Sequence, residues 1–265
     1  MKYIILIVMI LFLIYAVCEN AFMLVVRHEK LDIGIRIAHI SDLHKKRFGK
    51  ENSHLCSKVE AESPDIIIIS GDIVSRTQTD FSDVDKMLAR LKKTAPVYVI
   101  FGNHEQSLTP EKQEELIDII SKNGAVLLRN SHAAAEIRGR SFNIYGIEPS
   151  YTVYKKDDGY NDLDIVTEKD MEDLIGRCPD GETILIAHNP FFGEAYAQWG
   201  ADHTLSGHIH GGAVRLFGVG LLSPERRFFP RYAKGIYTIG NMKLLVSAGL
   251  GKLRLFNPPE IVIYD

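Results

Sequence analysis

The sequence predicts an α/β (α+β) fold with a largely parallel sheet, a second and more antiparallel sheet packed on it, and helices on the outer faces. Three observations predict it. Short apolar runs bounded by Gly and polar residues alternate with helical patterns through the first half, as buried parallel strands with crossover helices do. The second half changes to short strands joined by Gly-rich turns. Finally, runs from both halves end in metal-ligand residue types: IRIAHIS before Asp42-Leu43-His44, IIIIS before Gly71-Asp72, VYVIF before Gly102-Asn103-His104, TILIA before His188, and TLS before Gly207-His208-Ile209-His210. Ligands of open α/β sheets gather outside the carboxyl ends of strands, so these residues are expected at one crevice.

In chain order, Tyr3–Val17 is an uncharged apolar stretch preceded by Lys2. It predicts an N-terminal hydrophobic helix, residues 1–19, acting as a retained single-pass anchor, with secretion after signal cleavage as the alternative. A longer span would place Glu19 in hydrocarbon, where a charge costs about 2.5–3.5 kcal/mol. An edge strand is therefore expected from about Ala21 to Glu29, and residues 20–265 are expected to form one domain. Phe81, Val84, Met87, Leu88 and Leu91 have helical spacing, closed by Lys92 and Lys93. Thr109-Pro110-Glu111 opens a helix that stops at Asn123-Gly124, and Thr167-Glu168-Lys169-Asp170 opens one that stops near Gly176. Strands follow at Phe142–Ile147, Ala213–Leu216, Ile236–Ile239, Leu244–Val246 and Ile261–Tyr264.

The chain has 265 residues, 46% hydrophobic and 25% charged, which excludes a disordered protein and allows a substantial core. Cys18, Cys56 and Cys178 lie far apart without a Cys-x-x-Cys, so neither a disulfide framework nor a zinc knuckle is expected. No binding module or aromatic-basic motif suggests a nucleic-acid partner. No feature fixes the oligomeric state.

The residue types at the strand ends carry the chemistry. Asp42 and His44, two apart, can reach one metal. Asp72 can bridge two ions with its two oxygens, Asn103 supplies a neutral oxygen, and His188, His208 and His210 supply imidazoles. Such a mixed set suits two divalent cations and does not select among Mn, Zn, Fe and Ni, since these sites follow availability as much as affinity. Two ions about 3.5–4 Å apart acidify a shared water and clamp the oxygens of an in-line phosphoryl displacement. His104 adjoins a ligand without being assigned to a metal, and is expected to stabilise the transition state or protonate the leaving oxygen. Glu105 either orients a ligand or is a solvated loop acid. His28, His39, His54, His132 and His203 are expected to be structural or solvated.

Asp-x-His, Gly-Asp, Gly-Asn-His-Glu, a His ending an apolar strand, and Gly-His-x-His occur in this order. The set resembles the calcineurin-like metallophosphoesterase superfamily from Leu31 to the end. The resemblance implies a four-layer αββα sandwich of two mixed sheets. It also implies that Asp42, His44, Asp72 and His210 hold one metal, and Asp72, Asn103, His188 and His208 the other. Ser206–Gly212, Ser247–Gly251 and Asn257-Pro-Pro-Glu260 are similar to a bacterial branch rich in membrane-associated phosphodiesterases. The expected activity is hydrolysis of a phosphodiester or pyrophosphate by metal-activated hydroxide, with a phosphomonoesterase as the alternative and a non-catalytic metal binder disfavoured by the complete ligand set. The same branch makes a lipid-linked phosphoester such as UDP-diacylglucosamine a candidate substrate, with the catalytic domain outside the cytoplasm.

Charge and apolarity add to this. Lys45, Lys46 and Arg47 follow the first motif, and Arg215, Arg226, Arg227, Arg231, Lys234, Lys243, Lys252 and Arg254 crowd the last part of the chain. Basic residues near the metals suit an anionic substrate or headgroup. Leu216, Phe217, Val219, Leu221, Leu222, Phe228 and Phe229 are interleaved with them, and this basic-apolar loop is expected to meet acyl chains or the bilayer surface.

Overall fold

The structure is a computed structural model that describes all residues except Asp158, Ala213, Phe217, 224–227, Lys252 and Leu253, and the side chains of Asn20, Ala21 and Leu216. The expectations for Arg226, Arg227, Lys252, Phe217 and the side chain of Leu216 therefore fall outside the described residues.

Along the chain the elements are α1 (Lys2–Phe22), β1 (Val25–Glu29), β2 (Ile37–Ile40), α2 (Ser53–Glu62), β3 (Ile66–Ile69) and α3 (Ser82–Thr94). Next come β4 (Val97–Val99), α4 (Asn103–Gln106), α5 (Pro110–Lys122), β5 (Val126–Leu127), β6 (Ser131–Ile137) and β7 (Arg140–Ile147). The remainder is α6 (Glu168–Ile175), β8 (Glu182–Ala187), α7 (Gly193–Trp199), β9 (His203–Ser206), β10 (Arg215–Leu216), β11 (Val219–Gly220), β12 (Gly235–Ile239), β13 (Met242–Val246) and β14 (Glu260–Tyr264).

Two six-stranded mixed sheets result, ordered β1-β14-β2-β3-β4-β5 and β12-β13-β9-β8-β7-β6. In the first, β2, β3, β4 and β5 are parallel, and β14 enters antiparallel to β2 with β1 parallel to it at the edge. The second sheet is more parallel than its Gly-rich texture suggested. Its centre β7-β8-β9-β13 is parallel, and only the outer strands β6 and β12 run antiparallel. The reason is that α6 and α7 carry the chain back over the sheet between β7, β8 and β9, as parallel neighbours require.

Three apolar interfaces make four layers. Ile66 and Ile68 point between the sheets with Ile37, Ile144, Ile184, Leu205, Val262 and Tyr264. Ile67 and Ile69, on the opposite face of the same strand, pack on Leu55, Val59, Leu88, Leu91 and Ile120 from α2, α3 and α5. Strand side chains alternate faces, so an unbroken Ile run is the pattern of a strand covered on both sides. Each such side chain contributes about 1.5–3 kcal/mol by leaving water. On the far side Leu185, Ala187, Leu244 and Val246 meet Met171 of α6 and Tyr196 and Trp199 of α7.

The N-terminus differs from the expected boundaries. α1 continues through Phe22, and β1 begins at Val25 rather than Ala21. Glu19 is inside the helix and fully buried, with Oε2 accepting the Phe256 N–H at 2.7 Å. The partner explains why the helix does not stop before this acid. Of the strand expected at Ala213–Leu216, Ala213 lies outside the described residues, and Arg215–Leu216 pair with β11 in a short hairpin outside both large sheets. All three cysteines are free.

Candidate metal centre

Asp42, His44, Asp72, Asn103, His104, His188, His208 and His210 come together at the carboxyl ends of β2, β3, β4, β8 and β9. Hydrogen bonds between the loops fix them. Asp42 N–H donates to Gly71 O at 3.1 Å, and His44 N–H to Asp72 O at 3.0 Å. His208 N–H donates to Asp42 Oδ1 at 3.1 Å, and His104 N–H to Asp72 Oδ1 at 2.8 Å. The loops approach too closely for side chains at two points. A Cβ on Gly207 would collide with Ser41 and Asp42, and one on Gly102 would collide with Asp72.

Five of the ligand-type residues sit in left-handed backbone: Asp42 at φ +54°, His44 at +52°, Asp72 at +53°, His208 at +67° and His210 at +55°. Such conformations cost a non-glycine residue about 1–3 kcal/mol and persist where surrounding structure imposes them. Their concentration here is a signature of a functional site that spacing could not reveal.

Asp72 is central. Its Oδ2 lies 3.3 Å from His188 Nε2, 3.9 Å from His44 Nε2 and 4.0 Å from His104 Nε2. His210 Nε2 is 3.4 Å from Asp42 Oδ1 and 3.4 Å from His44 Nε2. The ligand atoms of Asp42, His44 and His210 all lie within 4.8 Å of one another, as do those of Asp72, His188 and His208. A third such triad, His44, Asp72 and His104, lies between them.

Electrostatics point the same way. Burial opposes ionisation of Asp72, but His188, His44 and His104 hold its carboxyl well below the usual range. Asp42 is likewise lowered, burial being outweighed by His210 and His188. Burial alone would depress His188, yet the charges of Asp72 and Asp42 push it up to about 10. His188 Nδ1–H donates to Ser70 O at 2.7 Å, which aims Nε2 at the aspartates. That Nε2 and Asn103 Oδ1 are buried without a hydrogen-bond partner. Buried polar atoms in folded proteins are usually satisfied, so an imidazole nitrogen and an amide oxygen left without hydrogen bonds beside two carboxylates fit divalent cations.

Glu105 takes the orienting alternative. It is fully buried, and its carboxylate accepts N–H groups of Gly102 at 2.7 Å, Asp72 at 2.9 Å and Val74 at 2.9 Å. Burial and the Asp72 charge push it up to about 8. Glu105→Ala leaves three N–H groups unpaired, each worth about 1–3 kcal/mol, so a loss of at least ~3 kcal/mol is expected in denaturant unfolding. An unchanged midpoint would show that water replaces the carboxylate.

The sequence missed part of the site. A cavity of about 60 Å³ is lined by Asp72, Asn103, His104, His208 and His210. Arg76, Lys155, Tyr151, Tyr154 and Tyr160 complete its lining. The Arg76 N–H donates to His104 Nδ1 at 3.2 Å, and its guanidinium lies 3.1 Å from His104 Nε2 and 3.4 Å from Tyr151 OH. Burial, with His44 and Arg76 nearby, lowers His104 to about 4, so the free imidazole is neutral at pH 7. The remaining histidines lie away from this cavity. His39 is fully buried against Ser70 Oγ at 2.7 Å, His132 stacks on Tyr145, and His203 and His28 approach Glu182 and Glu62.

Part of the expected basic face is internal wiring. Lys234 and Arg27 pair with buried Glu260, Arg231 with Glu194, and Arg47 with Asp83, while Arg254 is buried. These charges are neutralised by the protein itself.

A model of the family described as calcineurin-like phosphoesterase matches residues 35–212. The chain belongs to that family. Family members generally use divalent metals, and the two triads are the candidate ligand clusters of this one. It is 25% identical over 239 residues to the uncharacterized metallophosphoesterase YkoQ of Bacillus subtilis, covering 87% of this chain and 83% of the relative. It is 25% identical over 248 residues to phosphodiesterase YaeI of Escherichia coli, covering 87% and 81%. It is also 24% identical over 281 residues to the UDP-2,3-diacylglucosamine pyrophosphatase LpxG of Chlamydia muridarum, covering 87% and 83%. Among solved structures, TT1561 of Thermus thermophilus superposes with a TM-score of 0.50 at 10% identity, covering 83% of this chain and 90% of that one. That likeness supports the fold, and this metallophosphoesterase is a mixed α/β protein of two sheets with one apolar N-terminal helix that is an anchor or signal candidate.

Proposed function

We propose that this chain is a binuclear metal-dependent hydrolase of phosphodiester or pyrophosphate bonds, held at a membrane by α1 with its catalytic domain outside the cytoplasm. The observation that carries the reading is the convergence of two ligand triads, Asp42–His44–His210 and Asp72–His188–His208, with His44 Nε2 3.9 Å from Asp72 Oδ2, beside a cavity that Arg76 and Lys155 help to line. Asp42, His44, Asp72 and His210 would hold one cation, and Asp72, Asn103, His188 and His208 the other. Bound there, two divalent ions supply Lewis acidity toward phosphoryl oxygens and acidify water.

The chain's own residues do the rest. Arg76 and Lys155 face the cavity and bind the substrate's unesterified oxygens as charge-assisted donors. His104 Nδ1 accepts the Arg76 amide proton, and the Arg76 guanidinium, a donor only, lies 3.1 Å from Nε2; once that guanidinium turns to a substrate oxygen, Nε2 is free to carry the imidazole proton. From there it donates to the oxygen that gains charge as the P–O bond breaks. Comparing bis-(p-nitrophenyl) phosphate with p-nitrophenyl phosphate on manganese-loaded protein tests the diester preference. Faster turnover of the monoester would favour the phosphomonoesterase alternative.

A lipid-linked substrate is supported by exposed apolar side chains in the last part of the chain. Phe228 and Phe229 are 76% and 66% exposed, and Val219 is 50% exposed. Replacing Phe228 and Phe229 with Ser is expected to lower activity on a nucleotide-linked lipid by about tenfold, the equivalent of ~1.4 kcal/mol of lost apolar contact. Activity on soluble esters should be unchanged. Equal losses on both substrates would remove the lipid reading.

A further inference from the structure

α1 is not simply tethered to the domain. Its last turns are seated on the turn formed by residues 254–257, which on its other side holds the segment carrying His210. Phe256 stacks on Tyr15 with centroids 5.5 Å apart and meets Phe12 at 5.9 Å. Its backbone is left-handed, at φ +56°, which is rare for an aromatic residue and needs outside support. Glu19 supplies that support by accepting the Phe256 N–H at 2.7 Å, with Tyr15 OH 3.4 Å from its other oxygen.

Glu19 is otherwise unfavourably placed on its own helix. It is fully buried, it lies toward the carboxyl end of α1 where the helix dipole repels an anion, and no basic residue occupies that last turn. A carboxylate kept there needs a partner, and Phe256 is that partner.

The inner side of the turn reaches the metal centre. Asn257 Nδ2 donates to His210 O at 2.6 Å and to Gly212 O at 3.1 Å. The guanidinium of Arg254, buried at 3% exposure, donates to Gly251 O at 2.8 Å and to Ala248 O, and its charge faces Asp42, Glu260 and Glu19. One short turn thus joins a carboxylate of the N-terminal helix to the backbone of a residue in the Asp42–His44–His210 triad.

We infer that Glu19 and Phe256 are positioning residues for the metal centre: docking of α1 on the 254–257 turn fixes His210 and thereby the affinity of the Asp42–His44–His210 cation site. The inference rests on the metallophosphoesterase reading and adds that the helix at the membrane is part of the site's support. Partners one step behind metal ligands commonly change affinity by about 10–100-fold, and this link lies one step further out.

The test uses the full-length protein in detergent micelles, titrated with Mn2+ alone and followed by calorimetry and electron paramagnetic resonance. Glu19→Ala and Phe256→Ala should each weaken one binding step by about tenfold and leave the other within about twofold of wild type, with the thermal midpoint retained. Glu19→Gln should restore both steps, because its amide oxygen still accepts the Phe256 N–H. Leu6→Ala, on the exposed part of α1, is the silent control. Excess Mn2+ should return Glu19→Ala turnover to wild type. Wild-type isotherms for both alanine variants would overturn the inference, as would equal weakening of both steps with a lowered midpoint, which marks general loosening. Should Glu19→Ala fail to fold, Phe256→Ala reads the same link from the other side. Wild-type protein that binds no Mn2+ would instead remove the enzymatic reading itself.

Discussion

Asp72→Asn is expected to take turnover to background, a larger loss than the ~10²–10³-fold that follows removal of one electrostatic donor from an active site. The substitution isolates charge from shape. Asn is among the residues that tolerate the left-handed backbone found at position 72, and its amide oxygen can still accept the His104 N–H that Asp72 Oδ1 accepts at 2.8 Å. What disappears is the anionic Oδ2 facing His188, His44 and His104. Asp72 would help hold both cations in the proposed arrangement, so metal analysis should show occupancy falling at both. A second readout needs no metal. His188 is raised to about 10, so in metal-free protein its imidazolium stabilises the fold fully below pH ~6.5, and this stability is lost as pH rises toward 10. Asp72→Asn should flatten stability across that window. An Asp72→Asn variant with two bound metals and ordinary turnover would end the binuclear reading.

His104→Ala is the second large effect. Turnover should fall by about 10²–10³-fold, the usual cost of removing one hydrogen-bond donor to developing charge, with kcat and kcat/KM declining together and both metals retained. The loss should shrink as the leaving group becomes more acidic, because a nitrophenolate needs less help than an alkoxide. His104 is neutral in the free protein, lowered to about 4, so near neutral pH it offers an N–H hydrogen bond rather than an imidazolium proton, and the wild-type rate should not collapse as pH passes 6.5. A leaving-group-independent loss would reassign His104 to substrate positioning.

Legibility in the sequence followed the range of the interactions. The Ile66–Ile69 run could be read as a strand buried on both faces because that pattern is local, and the structure divides its side chains between two apolar layers. The stops of α5 and α6 were local too. β6 was not legible, since its Ser-His-Ala-Ala-Ala-Glu run has little strand preference, and it forms because β7 offers a paired edge. The insertion of β14 between β1 and β2 joins the last strand to the first, which no local pattern encodes.

The site divided in the same way. Asp42, His44, Asp72, Asn103, His188, His208 and His210 stood out because ligand chemistry restricts residue type and strand ends restrict position. Arg76 and the tyrosines around Lys155 did not, because arginine and tyrosine are common on loops and only folding brings them beside the histidines. Glu105 could be weighed only as a ligand-orienting acid or a solvated one, and burial against three backbone N–H groups decided between them.

Residue type and short spacing were enough to reveal the family, a set of candidate ligands and an apolar leading helix. The left-handed backbone of those candidates, the cationic side chains beside them and the seating of Glu19 on Phe256 emerged with the folded chain. These depend on contacts between segments far apart in the chain, whose meeting is set by sheet order and core packing rather than by any local preference.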